Sequence, residues 1–277
     1  MKKIIVIIGG SSFIGKKLIN KINKKNLLIY STYFKNIPKI SNVKHVYLNL
    51  NNLRNEDLNK FPKMIDNLII LSWGDLNNYQ SPKHEFFYKD LNKFTKKILI
   101  HAKVHEINIV GSCQEYGLAN GELSENAKCF PTTNYAKYKL KYLNQVKKLK
   151  FKHNFRFNWL RLFYIYGDNR DRGIWSNFMK AKKANKVFKM SKGEQKFDFL
   201  HINTIMKYMQ IVTMSKNDLG IINICSGKPT KLIDLIRKWA SRYGVKIKVG
   251  FYPYTNYESM AYWGSNKKLK RVLLDNA

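Results

Sequence analysis

Residues 4–15 read Ile4-Ile5-Val6-Ile7-Ile8-Gly9-Gly10-Ser11-Ser12-Phe13-Ile14-Gly15. A short apolar run ends in two glycines, and a helical pattern begins at Phe13 and runs to Ile22. Such a run suits a strand buried on both faces of a sheet. Gly9 permits a tight turn, and a small residue at Ser12 lets main chain approach an anion. Gly15 permits close helix–strand packing, and the helix N-terminus faces the anion. This order of strand, glycine turn and helix predicts a dinucleotide pyrophosphate cradle lined by Gly9, Ser11, Ser12, Phe13, Ile14 and Gly15.

The pattern repeats outward from that stretch. Further apolar runs lie at 27–30, 45–48, 68–71, 107–110, 159–165 and 221–225. Helical stretches separate them, among them 86–102 and 232–243. Continuous apolar strands alternating with helices predict an α/β fold with a doubly wound parallel sheet. The second half is less regular and suggests a smaller lobe. The expected division is 1–165 with about 203–225 for a Rossmann-type cofactor domain. Residues 166–202 and 226–277 are expected to form a C-terminal substrate-binding lobe.

The chain's 277 residues, 44% hydrophobic, exclude global disorder. No apolar run approaches the ~20 residues that span a bilayer, and the N-terminus lacks the pattern of a signal peptide. Cys113, Cys129 and Cys225 are odd in number and scattered. They suggest a reducing compartment without a disulfide framework, and a cytoplasmic protein. No metal-ligand set stands out. The net charge of +33 admits a nucleic-acid binder. Its lysines are spread through the chain, including helix backs such as Lys137, Lys141, Lys147 and Lys148. Lys, Asn, Ile, Tyr and Phe are abundant together, as in the drift of an AT-rich coding sequence. A solvated surface that attracts anionic ligands is therefore expected, with no nucleic-acid or membrane partner.

The end of the second strand carries Ser31, Thr32 and Lys35 and no acid. An Asp or Glu there would hold an NAD ribose. Hydroxyls and a lysine can instead hold a 2′-phosphate, which favours NADP(H) over NAD(H). Tyr135 and Lys139 are spaced to share one helix face. A nearby ammonium favours phenolate, so the tyrosine pKa is expected to fall toward working pH. Ser112 ends the strand before them, where its hydroxyl could reach the same reacting oxygen.

These motifs together resemble the extended short-chain dehydrogenase/reductases of the nucleotide-sugar epimerase/dehydratase family. The resemblance spans nearly the whole chain. It takes in Gly9–Gly15, Ser112…Tyr116-Gly117, Tyr135-x-x-x-Lys139 and Arg161…Tyr166-Gly167. It continues through Gly193…Asp198…His201 and Ile222…Gly227. It implies Tyr135 as general acid/base, Lys139 on the nicotinamide ribose and Ser112 on the substrate carbonyl. It implies cofactor contacts from Asn49, Leu50, Ser72, Trp73, Gly74, Asn92 and Phe163. A homodimer formed through a helix bundle is typical of such proteins.

Departures from the family narrow the chemistry. Hexose dehydratases carry Asp-Glu after the serine, where this chain has Cys113 and Gln114. The epimerising Cys/His pair of the GDP-fucose synthase group is out of place, with Asn177 at the His position. The diphosphate arginine of the Arg-Asp-Phe box is Phe197, and a second one is replaced near Thr255. Arg170, Arg172 and Lys196 are the candidates to replace them. Ser112, Cys113, Gln114, Tyr135 and Asn177 complete the expected substrate contacts. The stretch Tyr257-Glu258-Ser259-Met260-Ala261-Tyr262-Trp263-Gly264 resembles small 4-ketoreductases. The resemblance thus implies NADPH-dependent reduction of a nucleotide-linked 4-keto-6-deoxyhexose, with dTDP the expected nucleotide, for surface glycans such as lipopolysaccharide or capsule. Two alternatives stand beside it: a 4-epimerase with bound NAD, and a non-catalytic cofactor-binding sensor.

Overall fold

The computed structural model describes residues 2–22, 25–254, 256 and 259–276. Thr255, Tyr257 and Glu258 lie outside the described residues. A seven-stranded parallel sheet organises the chain. Its strands are β1 (Lys3–Ile8), β2 (Leu27–Tyr33), β3 (Val43–Tyr47), β4 (Asn67–Ile70), β5 (Glu106–Ser112), β6 (Arg156–Leu162) and β7 (Gly220–Ile224). Their spatial order is β7-β6-β5-β4-β1-β2-β3. The order reverses beside β1, so a crevice opens at the strand ends where the glycine turn lies.

Helices cover both faces. They are α1 (Phe13–Ile22), α2 (His84–His101), α3 (Asn134–His153), α4 (Gly173–Lys183), α5 (Ile202–Met214), α6 (Leu232–Tyr243) and α7 (Lys267–Leu274). Along β1, Val6 and Ile8 face the layer with Leu91, Phe94, Tyr142 and Val146 of α2 and α3. Ile5 and Ile7 face the opposite layer, with α1, α5 and α7. This is the period-2 alternation of a strand buried on both sides.

The apolar run 159–165 is not one strand. It leaves the sheet after Leu162 and re-forms as Tyr164–Tyr166, paired with Phe199–His201. Tyr164 N donates to Asp198 O at 3.0 Å, which draws the chain toward the lobe.

Beyond the sheet, Thr230–Lys231, Lys196–Phe197, Ala261–Gly264 and Gly121–Leu123 form a small four-stranded sheet. Trp175, Phe178, Trp239 and neighbours form a separate apolar cluster. Two contacts run across the expected boundaries. Gly121–Leu123 joins the lobe's sheet, because it pairs with Tyr262–Gly264. The C-terminal helix α7 packs against the main sheet, burying Leu269 and Val272 with Ile222 and Ile224. Among the described residues, no helix is long and apolar enough to cross a membrane.

Candidate active site

The glycine turn is built as its composition demands. Gly9 has φ +84°, and a Cβ there would lie 2.9 Å from Ser72 N. At Gly15 a Cβ would meet the carbonyl oxygens of Gly9 and Gly10 at 2.5 and 2.6 Å. Ser12 Oγ accepts from Gly15 N at 3.1 Å and opens α1. The main chain of Ser11, Ser12, Phe13 and Ile14 thus lies at the helix end, where amide groups face an anion. Ser72, Trp73 and Gly74 follow β4 directly beside this turn. A side chain at Gly9 or Gly15 would force the turn away from Ser72 or break its contact with α1, so the glycines keep the turn closed over the helix N-terminus, a geometry that fits an anion.

The hydroxyls of β2 lie inside the fold. Ser31 is fully buried, and its Oγ would lie 2.0 Å from a Cβ on Gly10. Thr32, 3% exposed, accepts from Gly9 N at 2.9 Å. Thr32 thus braces the turn, whereas Ser31 packs against Gly10 with its Oγ buried and without a hydrogen-bond partner among the described residues. Lys35 is exposed just past the strand. Asn49 accepts from Asn51 N at 3.1 Å and Leu50 packs on the core, both half-buried beyond β3. On α2, Asn92 buries its Oδ1 without a partner among the described residues. An orphaned acceptor of this kind fits a polar ligand.

Ser112, Tyr135 and Lys139 come together. β5 ends at Ser112, whose side chain is close enough to the Tyr135 hydroxyl to favour its ionised form. Thr133 caps α3 by accepting from Ala136 N at 3.2 Å, which puts Tyr135 and Lys139 on its buried face. Lys139 Nζ donates to Val110 O at 2.7 Å and sits 4.2 Å over the Trp73 ring. Trp73 Nε1 donates to Nδ1 of the buried His84, whose Nε2 lies 2.9 Å from Asn78 O. Tyr79 stacks on Tyr135 at 5.2 Å between ring centroids. Neither His84 nor Tyr79 had a signal in the sequence.

The electrostatics reverse one expectation. Burial pushes the Tyr135 phenol well above its ordinary pKa, and Tyr79 and Glu115 push the same way. The ammonium of Lys139 does not reverse this. Burial brings Lys139 itself down to about 7, opposed by Glu115. Desolvation outweighs the neighbouring charge here. Tyr135 is therefore a protonated acid.

Next to Ser112 the wall is aromatic. Gln114 Nε2 donates to Tyr164 OH at 3.3 Å, and Tyr164 OH lies 3.0 Å from Tyr262 OH. Tyr262 OH donates to Cys113 Sγ at 3.5 Å. Phe197 stacks on Tyr164 at 4.5 Å. Phe163 is 3% exposed, its ring packs in this cluster and its N donates to Ile224 O at 3.3 Å. Tyr164 and Tyr262 were not expected at the site.

The three cations expected for a diphosphate separate. Arg170 is half-buried, and desolvation lowers its pKa while nearby Tyr79 and Tyr135 oppose this. Arg172 pairs with Asp171 at 3.1 Å. Lys196 is exposed, next to the buried Phe197, whose ring takes the inward side. Alternation along a strand turns Lys196 away. Asn177 is exposed on α4. Asp198 is buried and accepts from Ser226 N and Gly227 N at 2.7 and 2.8 Å, so it ties together two of the sequence motifs.

A model of the NAD dependent epimerase/dehydratase family matches residues 5–225. The dTDP-6-deoxy-L-talose 4-dehydrogenase (NAD(+)) of Aggregatibacter actinomycetemcomitans is 26% identical over 94% of this chain and 99% of its own. ADP-L-glycero-D-manno-heptose-6-epimerase of Brachyspira hyodysenteriae is 23% identical over 84% of this chain and 79% of its own. In fold, the chain is similar to MoeE5 solved with UDP-glucuronic acid and NAD. That match has a TM-score of 0.85 at 18% identity, covering 98% of this chain and 92% of the other. A Bacillus cereus UDP-glucuronic acid 4-epimerase, with UDP-glucuronic acid and NAD, gives 0.84 at 17% identity over 99% and 93% of the two chains.

Proposed function

The chain belongs to the NAD dependent epimerase/dehydratase family, and from that membership we propose that it reduces the C4 keto group of a nucleotide-linked 4-keto-6-deoxyhexose. The observation that carries this reading is the wall beside Ser112 and Tyr135. The dehydratases of the family carry an Asp-Glu pair after the serine, and its base-catalysed epimerases a Cys/His pair. That wall holds Cys113, Gln114, Tyr164 and Tyr262 instead, joined to one another by hydrogen bonds. Its apolar ring surface suits a C6 methyl group. The dehydrogenase relative is named for the oxidation of a dTDP-6-deoxysugar at C4, the reverse of this reduction. A dTDP-linked substrate is accordingly our reading.

Residues 1–165 with 203–225 would hold the cofactor, joined by α7. The lobe, 166–202 and the rest of 226–277 with Gly121–Leu123, would hold the sugar nucleotide. The Gly9–Gly15 turn takes the pyrophosphate, Asn49 and Leu50 the adenine, and Lys35 the 2′-phosphate of NADPH. Ser72, Trp73, Gly74, Asn92 and Phe163 line the remainder. A bound reduced nicotinamide supplies the hydride. Tyr135, held as a phenol, gives its proton to the C4 oxygen, and Ser112 donates a hydrogen bond to the same oxygen. Lys139 stabilises the charge that develops there. Arg170, half-buried with its Nε donating to Arg172 O at 3.2 Å, anchors the diphosphate. Arg170→Met should raise KM for the sugar nucleotide at least about tenfold, and Arg172→Met should change it little.

The same Ser, Tyr and Lys would also serve a 4-epimerase that retains NAD, and epimerases are among the relatives. One assay separates the two readings. The 4-keto-6-deoxyhexoses of dTDP, CDP, GDP and UDP are offered with NADPH or NADH. Stoichiometric oxidation of NADPH with one nucleotide series is expected. Isomerisation of a parent sugar nucleotide without net oxidation would replace the reductase by the epimerase.

A further inference from the structure

Glu115 follows Ser112 by three residues and is fully buried. Its carboxylate accepts from Ser112 N at 2.8 Å, from Trp159 Nε1 at 3.0 Å and from Arg161 Nε at 2.8 Å. Ser112 Oγ in turn accepts from Gln114 N at 3.2 Å, which completes a reciprocal capping box. Arg161 is 2% exposed, and its other nitrogens reach Glu125 O at 3.4 Å and Cys129 Sγ at 3.3 Å. Space for the group is reserved by Gly111. A Cβ there would meet Trp159 Nε1 at 2.1 Å and Glu115 Oε1 at 2.7 Å.

A buried ion pair is a poor source of stability, since well-packed apolar side chains often do as well. This one is attached to the reacting residues. Trp159 joins Glu115 to Lys139: its Nε1 donates to the carboxylate at 3.0 Å and its ring centroid lies 5.8 Å from Lys139 Nζ, while Glu115 on the short helix Cys113–Tyr116, His84 on α2 and Tyr135 on its own helix are the titratable groups that act on Lys139. Trp73 and Trp159 supply ring faces at 4.2 and 5.8 Å. His84 accepts at Nδ1 from Trp73, and burial lowers its pKa, so it brings no positive charge at neutral pH. Tyr135 is a neutral phenol.

We propose that Glu115, anchored by Arg161, is a positioning residue: it fixes the main chain of Ser112 and supplies the negative charge that the Lys139 ammonium faces. This rests on the roles given to Ser112, Tyr135 and Lys139 above. Lys139 must be an ammonium to act, so activity should fall as pH rises through its pKa of about 7. Without the Glu115 charge that fall should begin at lower pH.

The test is the pH dependence of kcat/KM, which reports the free enzyme. In Glu115→Gln the alkaline limb should move down by about one pH unit, with a roughly tenfold loss above it. Glu115→Asp should keep the limb where it is. Glu115→Met combined with Arg161→Met removes both charges of the ion pair together, so Arg161 is not left as an unpaired buried cation. Its melting temperature and cofactor affinity report the fold, and its limb should move as in Glu115→Gln. An unmoved limb in folded Glu115→Gln or in the double variant would overturn the proposal and leave the pair purely structural. Tyr135→Phe, measured alongside, keeps the two readings apart. Full turnover there would remove the premise about Tyr135, whereas an inactive Tyr135→Phe with an unmoved limb would remove Glu115 alone.

Discussion

Lys139 shows how one residue can oppose the stability of the fold that holds it. Its ammonium is desolvated, and its pKa falls from 10.5 to about 7. Between those values the unfolded chain binds the extra proton, so stability should rise with pH across that window. Below about pH 7 the folded protein carries the full cost of a buried charge. Lys139→Met should therefore abolish turnover and stabilise the protein by at least about 1 kcal/mol at neutral pH, read by urea denaturation. A destabilised Lys139→Met would mean that the Val110 carbonyl and Trp73 ring more than compensate the burial. The sequence placed Tyr135 and Lys139 on one helix face, because helical spacing decides that. It did not show that burial would outweigh the ammonium in setting the tyrosine's acidity. That balance depends on Trp73, Tyr79 and His84, which come from distant parts of the chain.

At the scale of elements, the phosphate turn is where composition and geometry agree most closely. Gly15→Ala would place a methyl group against two carbonyl oxygens that cannot yield without moving the turn. We expect a loss of about 1–3 kcal/mol in stability and at least tenfold in cofactor affinity, read by titration of cofactor fluorescence. Unchanged affinity would mean that this turn does not hold the cofactor. Helices Phe13–Ile22 and Leu232–Tyr243 were legible to the residue, since apolar periodicity and flanking glycines bound them. The split after Leu162 was not legible. The run is apolar throughout, and only the partner strand Phe199–His201 reveals where it changes sheet. Ser31, Thr32 and Lys196 show the same limit on the smaller scale. Their chemistry could be read, but the side of the strand they occupy could not.

For the whole molecule, the charge of +33 is spread over exposed positions such as Lys137, Lys141, Lys147 and Lys148. A field of this kind raises the encounter rate with anionic substrates and is screened by salt. kcat/KM should therefore fall as sodium chloride is raised while kcat stays level; the reverse pattern would place the charge outside substrate capture. A homodimer through α2 and α3 is our proposal for the exposed Phe86, Ile100 and Phe151 on those helices. Replacing Ile100 and Phe151 with lysine should give a monomer in sedimentation, and an unchanged sedimentation coefficient would refute that interface. The most direct measurement follows deuterium from NADPH labelled on its transferable hydrogen into the sugar. One deuteron at C4 of the 6-deoxyhexose product, with one NADPH oxidised per turnover, is the expected result. An unlabelled product inverted at C4, with the cofactor pool unchanged, would contradict it.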